Sequence, residues 1–195
     1  MRSKQGQAGP ARARLGPSSP IDESVAVLDL AVGDVVVYAS HGLGFVEARR
    51  AGGGDLPETV VLVLDSGLRV TLPVARAQGA LRSPSGEAEL EEVRRTLRTD
   101  AAPRIEPWSK RFHATREKVN VGEAAGLAEV VRDGADRDRE LARGGGARAA
   151  TAPAERGLYL QARKLLTAEI AFARGIDTAD ADMWIAEQIE QNTQG

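Results

Sequence analysis

The chain has 195 residues, enough for one ordinary domain or two small ones, and two small units fit its composition better. It contains no cysteine, which excludes disulfides, thiolate metal sites and cysteine nucleophiles, and fits a reducing compartment. The formal net charge of −2 hides a polarised chain: residues 1–20 sum to +4 through Arg2, Lys4, Arg12 and Arg14, and residues 174–195 sum to −4. No stretch approaches the roughly 20 apolar residues of a membrane helix, and no signal-peptide core opens the chain, so a soluble, cytoplasmic protein is expected.

Residues 1–24 mix Gly, Pro, Ser, Ala and Arg with almost no large apolar side chain. Such a segment cannot repay the entropy of ordering, and it reads as a disordered basic arm, either a solvated tail or a transient phosphate contact. From 25 to 83 the pattern becomes short β-branched runs parted by Gly and Asp, as in a small antiparallel barrel of SH3-like or Tudor-like type. Val35 to Tyr38 opens it, and Phe45, Val46 and Ala48 follow a Gly42-Leu43-Gly44 turn. Thr59 to Leu64 then meets Leu68 to Leu72 across Asp65-Ser66-Gly67, where a glycine supplies the positive φ of a tight hairpin. Pro73 and the residues near Gly79 end the meander, with no helical period inside it.

From 84 to 195 the period is helical, giving an α+β chain whose second part is all-α with about five helices. Ser85 is placed to cap a helix carrying Leu90, Val93 and Leu97, which Ala101-Ala102-Pro103 ends. Pro107 is placed to start a second helix, with Trp108, Phe112, Thr115 and Val119 on one face. Leu127, Val130 and Val131 mark a third, in which Arg132, Arg137 and Arg139 alternate with acids like a solvated face. The run Arg143 to Arg148 reads as a loop, because each interior Gly costs a helix about 1 kcal/mol relative to Ala. Pro153 starts a fourth helix with the stripe Leu158, Ala162, Leu165 and Ile170, and Thr178 is placed to cap a fifth with Met183, Ile185 and Ile189.

The inventory for catalysis is thin, and no enzyme, metal or cofactor is expected. His41 and His113 are the only imidazoles and lie in different halves, and His41 falls in an inter-strand turn. The glycines at 42, 44 and 52–54 lack the Lys-Ser/Thr or the helix that a phosphate cradle requires. The strongest binding candidate runs from Arg104 to Lys118, with five Lys/Arg against two acids around Trp108. Such a mixture can neutralise phosphates while an apolar ring leans on a base step. Equally, Trp108 and Phe112 at i, i+4 spacing can simply pack inward.

Taken in order, Val32-Gly33-Asp34-Val35-Val36-Val37-Tyr38, His41-Gly42-Leu43-Gly44-Phe45-Val46 and Leu72-Pro73 resemble the N-terminal barrel of the CarD/CdnL family. That barrel type recurs in transcription-repair coupling factors. The resemblance continues through Leu81-Arg82, Trp108-Ser109-Lys110-Arg111-Phe112, Glu129-Val130-Val131-Arg132-Asp133 and Ala162-Arg163 with Leu166 and Glu169. It implies a monomeric transcription regulator that docks its barrel on the RNA polymerase β subunit and acts at the nucleoid. The helical part would then sit on promoter DNA upstream of the −10 element, with Trp108 wedged into the minor groove and the open complex stabilised. By the same resemblance Lys110, Arg111, His113 and Arg156 are DNA contacts, and Arg49, Arg50, Arg69 and Thr71 are polymerase contacts.

This chain departs from the family at several places. His113 stands where a firm cation is usual, implying a weaker or pH-sensitive phosphate contact, and Thr71 replaces a frequent arginine. Gly134 replaces an apolar helix residue, and residues 144–150 look like an insertion. Two rival readings follow: a polymerase-binding paralogue or adaptor with little DNA contact, and a Tudor-like peptide reader whose cage would need Tyr38 and Phe45.

Overall fold

A computed structural model describes residues 30–100, 107–144 and 152–192. The expected basic arm, the Ala101-Ala102-Pro103 break and most of the glycine-rich loop therefore lie outside the described residues. Five strands come first: β1 (Val35–Tyr38), β2 (Gly42–Arg50), β3 (Thr59–Leu64), β4 (Arg69–Pro73) and β5 (Leu81–Arg82). They form one antiparallel, curled half-barrel sheet in the order β4-β3-β2-β1-β5. Six helices accompany them: α1 (Val74–Ala80), α2 (Glu87–Arg98), α3 (Trp108–Val121), α4 (Ala124–Ala142), α5 (Pro153–Arg174) and α6 (Thr178–Asn192).

Strand alternation builds the first core. Val36, Val46, Val60, Leu62 and Leu72 come from one face of the sheet and pack with Leu30, Ala77 and Leu81. Ala77 belongs to α1, a helix inside the meander where none is expected; seven residues with Gly79 among them are too short to display a period. The Asp65-Ser66-Gly67 hairpin forms as expected, with Gly67 at φ 80° and its N–H donating to the Leu64 carbonyl at 2.8 Å. Gly42-Leu43-Gly44, in contrast, is strand and not turn: the turn is the single 3-10 turn Ala39–His41. Gly44 is needed within the strand because a Cβ there would stand 2.6 Å from Leu64 and 2.7 Å from the Val63 carbonyl.

A second cluster fills the helical half, with Val93 and Leu97 of α2, Val119 of α3, Leu127 and Val131 of α4, Leu166 and Ile170 of α5, and Ile185 of α6. Polar groups cross-link it more than the alternation of charges implies. Arg132 is buried beside Asp133, and Arg137 of α4 donates to Glu155 of α5 at 2.7 Å. Arg139 donates to the Ile189 carbonyl of α6 at 2.9 Å. None of the three lies on a solvated face: α4 packs against α2, α3 and α5, and Arg139 reaches across to α6. Met183, in turn, is exposed, since Ala181, Ile185 and Ile189 supply the inward stripe of α6.

Two expected caps are used differently. The Asp177 carboxylate, and not Thr178, accepts from the Asp180 N–H at 2.7 Å to start α6. Ser85 is buried and gives its hydroxyl to Glu169 at 2.6 Å, leaving Gly86 as the cap of α2, with its N–H donating to Glu89 at 3.0 Å.

Glu169 is the meeting point of the two halves. It is only 2% exposed and accepts from Arg82 Nη1 at 2.6 Å, Arg82 Nη2 at 2.7 Å and the Ser85 N–H at 2.9 Å. Arg82 Nη2 also donates to the Gly122 carbonyl at 2.6 Å, so one guanidinium joins β5, the end of α3 and α5.

A Cβ at Gly134 would lie 2.2 Å from the Tyr159 ring, so Gly134 is the notch that seats Tyr159 between α4 and α5. Gly134→Ala should lower stability by about 1–3 kcal/mol in thermal melts despite its better helix propensity, and should cost far less in a Tyr159→Ala background. Arg163 forms a two-pronged pair with Asp182 at 2.6 and 2.8 Å, and this pairing holds the Asp182 carboxyl below its ordinary range. A lowered folded-state pKa stabilises above the unfolded value of about 3.9, and the gain disappears as pH falls through the folded value. Urea melts should accordingly show Asp182→Asn weaker than the parent at pH 7, with the two converging in strong acid.

Candidate functional site

The candidate DNA surface begins where Pro107, with ψ 147°, sets the chain extended before α3. Trp108 is the first residue of that helix and is 48% exposed. Its indole stacks on Phe112 one turn later, with centroids 5.2 Å apart and planes 16° apart. Phe112 is half-buried and meets the His113 ring edge-on at 6.1 Å. The stripe continues inward through half-buried Thr115 to buried Val119. The same helix face thus leads from solvent at Trp108 into the core at Val119.

The cations divide by position along α3. Lys110, His113 and Arg116 are exposed, and Arg111, on the Trp108 side, is half-buried. Lys118 pairs with Glu129 of α4 and serves helix packing. Arg104 lies outside the described residues. Arg156 is not on this helix: it is exposed in the first turn of α5, 3.5 Å from Asp138 of α4. A period alone does not rank one exposed cation over another, so it is the fold that adds Arg116 to this set.

The sheet carries the second candidate surface. The cross-strand rows Phe45-Val63-Arg69, Ala48-Val61-Thr71 and Arg50-Thr59-Pro73 share one face, opposite the sheet core. Arg50, Arg69 and Thr71 are exposed there, and Arg69 donates to Glu47 at 2.5 Å. Arg49 does not join them. A bulge between Val46 and Ala48 shifts the alternation by one residue and places Arg49 in the row of Val60 and Leu72, on the other face. There it donates to Glu58 at 2.5 Å, holding that carboxyl below its ordinary range, and approaches the Leu30 carbonyl at 3.5 Å.

The open side of β4 follows from its ladder. Leu64 N–H donates to the Leu68 carbonyl at 2.9 Å, and Val74 N–H donates to the Glu58 carbonyl at 2.9 Å. These bonds bracket the β3–β4 pair and fix the hydrogen-bonded rows at Val60-Leu72 and Leu62-Val70. Arg69 and Thr71 occupy the alternate rows, and their backbone groups turn toward the unpaired edge. Tyr38 and Phe45, in contrast, lie on opposite faces of the sheet and cannot converge into an aromatic cage. His41 is exposed in the 3-10 turn with its ring 4.8 Å from Tyr38, a stabilising contact for the turn. Among the described residues no group of His, Asp and Glu is arranged to hold a metal ion. None of the described helices is long and apolar enough to cross a membrane.

Comparison with known proteins adds two findings. Residues 92–186 match the family described as "CarD, C-terminal domain", a span that contains α3, α4, α5, Trp108 and Glu169. A Bacillus subtilis protein named "Putative transcription factor YdeB" is 28% identical over 107 residues, covering 52% of this chain and 69% of that protein. The match to the C-terminal domain model and this relative together support the CarD/CdnL family for this chain.

Proposed function

We propose that this chain is a transcription regulator that holds the RNA polymerase β subunit with its sheet and promoter DNA with its helical half, stabilising the open complex. The observation that carries this reading is Trp108. It is a large aromatic at the head of a helix, half in solvent, with its ring braced on Phe112 and with Lys110, His113 and Arg116 exposed on the same helix. An indole so placed can enter a minor groove at a weakly stacked step while the cations meet the flanking phosphates. Because the wedge interacts better with partly unstacked DNA than with intact duplex, it shifts the population toward the open complex. None of these contacts reads a base edge, so binding would be nonspecific in sequence and steep in salt dependence.

For polymerase, the reading rests on the β4 edge. Arg69 and Thr71 offer unpaired backbone groups, and Arg69 and Arg50 add cations on the same face. An extended polymerase segment would add as a sixth strand, with acidic residues facing the arginines. Arg49 would contribute only indirectly, through its pair with Glu58.

A second reading, an adaptor that binds polymerase with little DNA contact, has its own support. Lys118 is committed to Glu129, Arg156 stands beside Asp138, and His113 occupies a place where the family usually has a stronger cation. The two readings separate on Trp108. Under the first, Trp108→Ala should shorten open-complex lifetime about tenfold, the loss of ~1.4 kcal/mol, in competitor-challenge assays. An unchanged lifetime, with polymerase still bound, selects the adaptor. Under the first reading Lys110→Ala should also reduce the slope of log affinity against log salt by about one.

The polymerase contact has an independent test in Thr71→Pro. The Thr71 N–H faces the open edge, so proline removes a donor for an incoming strand while the β3–β4 ladder stays intact. Capture of the β subunit should be lost with the melting temperature nearly unchanged; retained capture would exclude strand addition at β4.

A further inference from the structure

We propose that Glu169, acting through Arg82, is a positioning residue that fixes the angle between the sheet and the helical half. It thereby sets where Trp108 stands relative to the β4 edge, and to this extent the inference rests on the function proposed above.

Among the described residues, the joint brings together the following groups. On the sheet side they are the 3-10 turn at 39–41, Gly42 and β5; on the helical side they are Gly122, Gln161, Leu165 and Glu169. Gln161 donates to the Ser40 carbonyl at 3.3 Å, and a Cβ on Gly42 would stand 3.0 Å from Leu165. The two buried apolar clusters are separate, and buried Val37, Leu43, Val61 and Leu64 belong to neither, so no single core spans both halves. A polar network bridges them. One carboxylate takes both terminal nitrogens of Arg82 together with the N–H and hydroxyl of Ser85, and the same Arg82 reaches Gly122. The network thus draws together β5, the residues just before α2, the end of α3 and α5.

Gly122 makes the fit close. Its φ of 72° ends α3, and a Cβ there would lie 2.6 Å from the Ala39 carbonyl oxygen. Ala39 is itself held at φ 34°, a conformation that a non-glycine residue keeps only when its surroundings impose it. The end of α3 is therefore seated on the sheet, and α3 begins with Trp108. Any swing at the joint would displace Trp108 along with the rest of the helix.

Glu169→Gln tests this with almost no change of volume: an amide nitrogen replaces one acceptor and faces donors. Because the chain has no cysteine, Ser66→Cys beside β4 and Glu117→Cys on α3 would place two spin labels uniquely, both at exposed positions. Pulsed electron–electron resonance on the full chain should give one narrow distance peak in the parent, and that peak should be lost to a broad distribution in Glu169→Gln. Arg82→Lys keeps the cation but cannot span Glu169 and Gly122 together, and should broaden the peak as well. Circular dichroism of both variants should retain the parental helix content. A narrow, unshifted peak in folded Glu169→Gln or Arg82→Lys overturns the proposal. In the functional arm, Glu169→Gln should still capture polymerase while open-complex lifetime falls to that of Trp108→Ala; a parental lifetime together with a broad distribution overturns the positioning role. A parent chain that neither binds polymerase nor prolongs open complexes defeats the functional reading alone, and the loss of the narrow peak still supports the fixed angle.

Discussion

A carboxylate removed from water must be given donors, and Glu169 is given four hydrogen bonds from two residues of distant sequence. This requirement organises its surroundings. Ser85 is drawn away from capping α2, so Gly86 and Glu89 start that helix instead. Arg82 is held on the short strand β5, and through it the carbonyl at the end of α3 is satisfied. Replacing one member would leave the other buried without its partner, which is why such pairs are costly to break even when they add little net stability.

The helical half has a comparable economy of polar groups. Arg137, Arg139 and Arg163 each tie one helix to another, and Gln188 accepts from Arg98 at 2.9 Å to join α6 to α2. In a chain whose apolar residues are mostly small, such ties specify which helices meet, and the close-packed stripes supply the cohesion. Gly134 extends this logic to shape. With no side chain at this position of α4, the Tyr159 ring fills the space.

The two candidate surfaces differ in how they are made. On α3 the residues lie within one helix, and one helix start decides that Trp108 is exposed and Val119 buried. On the sheet they come from β2 and β4, and their grouping depends on strand register. Alternation puts Arg49 and Arg50 on opposite faces, and the bulge before Ala48 decides that Arg49 is the one on the core side.

Much of this was legible in the residues. Strand alternation placed β1, β3, β4 and the Gly67 hairpin, and the 3.6-residue period placed five helices, because burial of one face imposes those patterns directly on the sequence. The aromatic pair on α3 and its cations were visible for the same reason. What the sequence could not hold were choices between equal local options made by distant groups. Ser85 could cap a helix or bond a carboxylate, the arginines of α4 could face water or a neighbouring helix, and Arg49 could point either way from its strand. The seven residues of α1 were too few to show a period. In each case the deciding partner, Glu169, Glu155, Ile189 or the bulge in β2, exerts its effect through space, and only the tertiary structure brings it near.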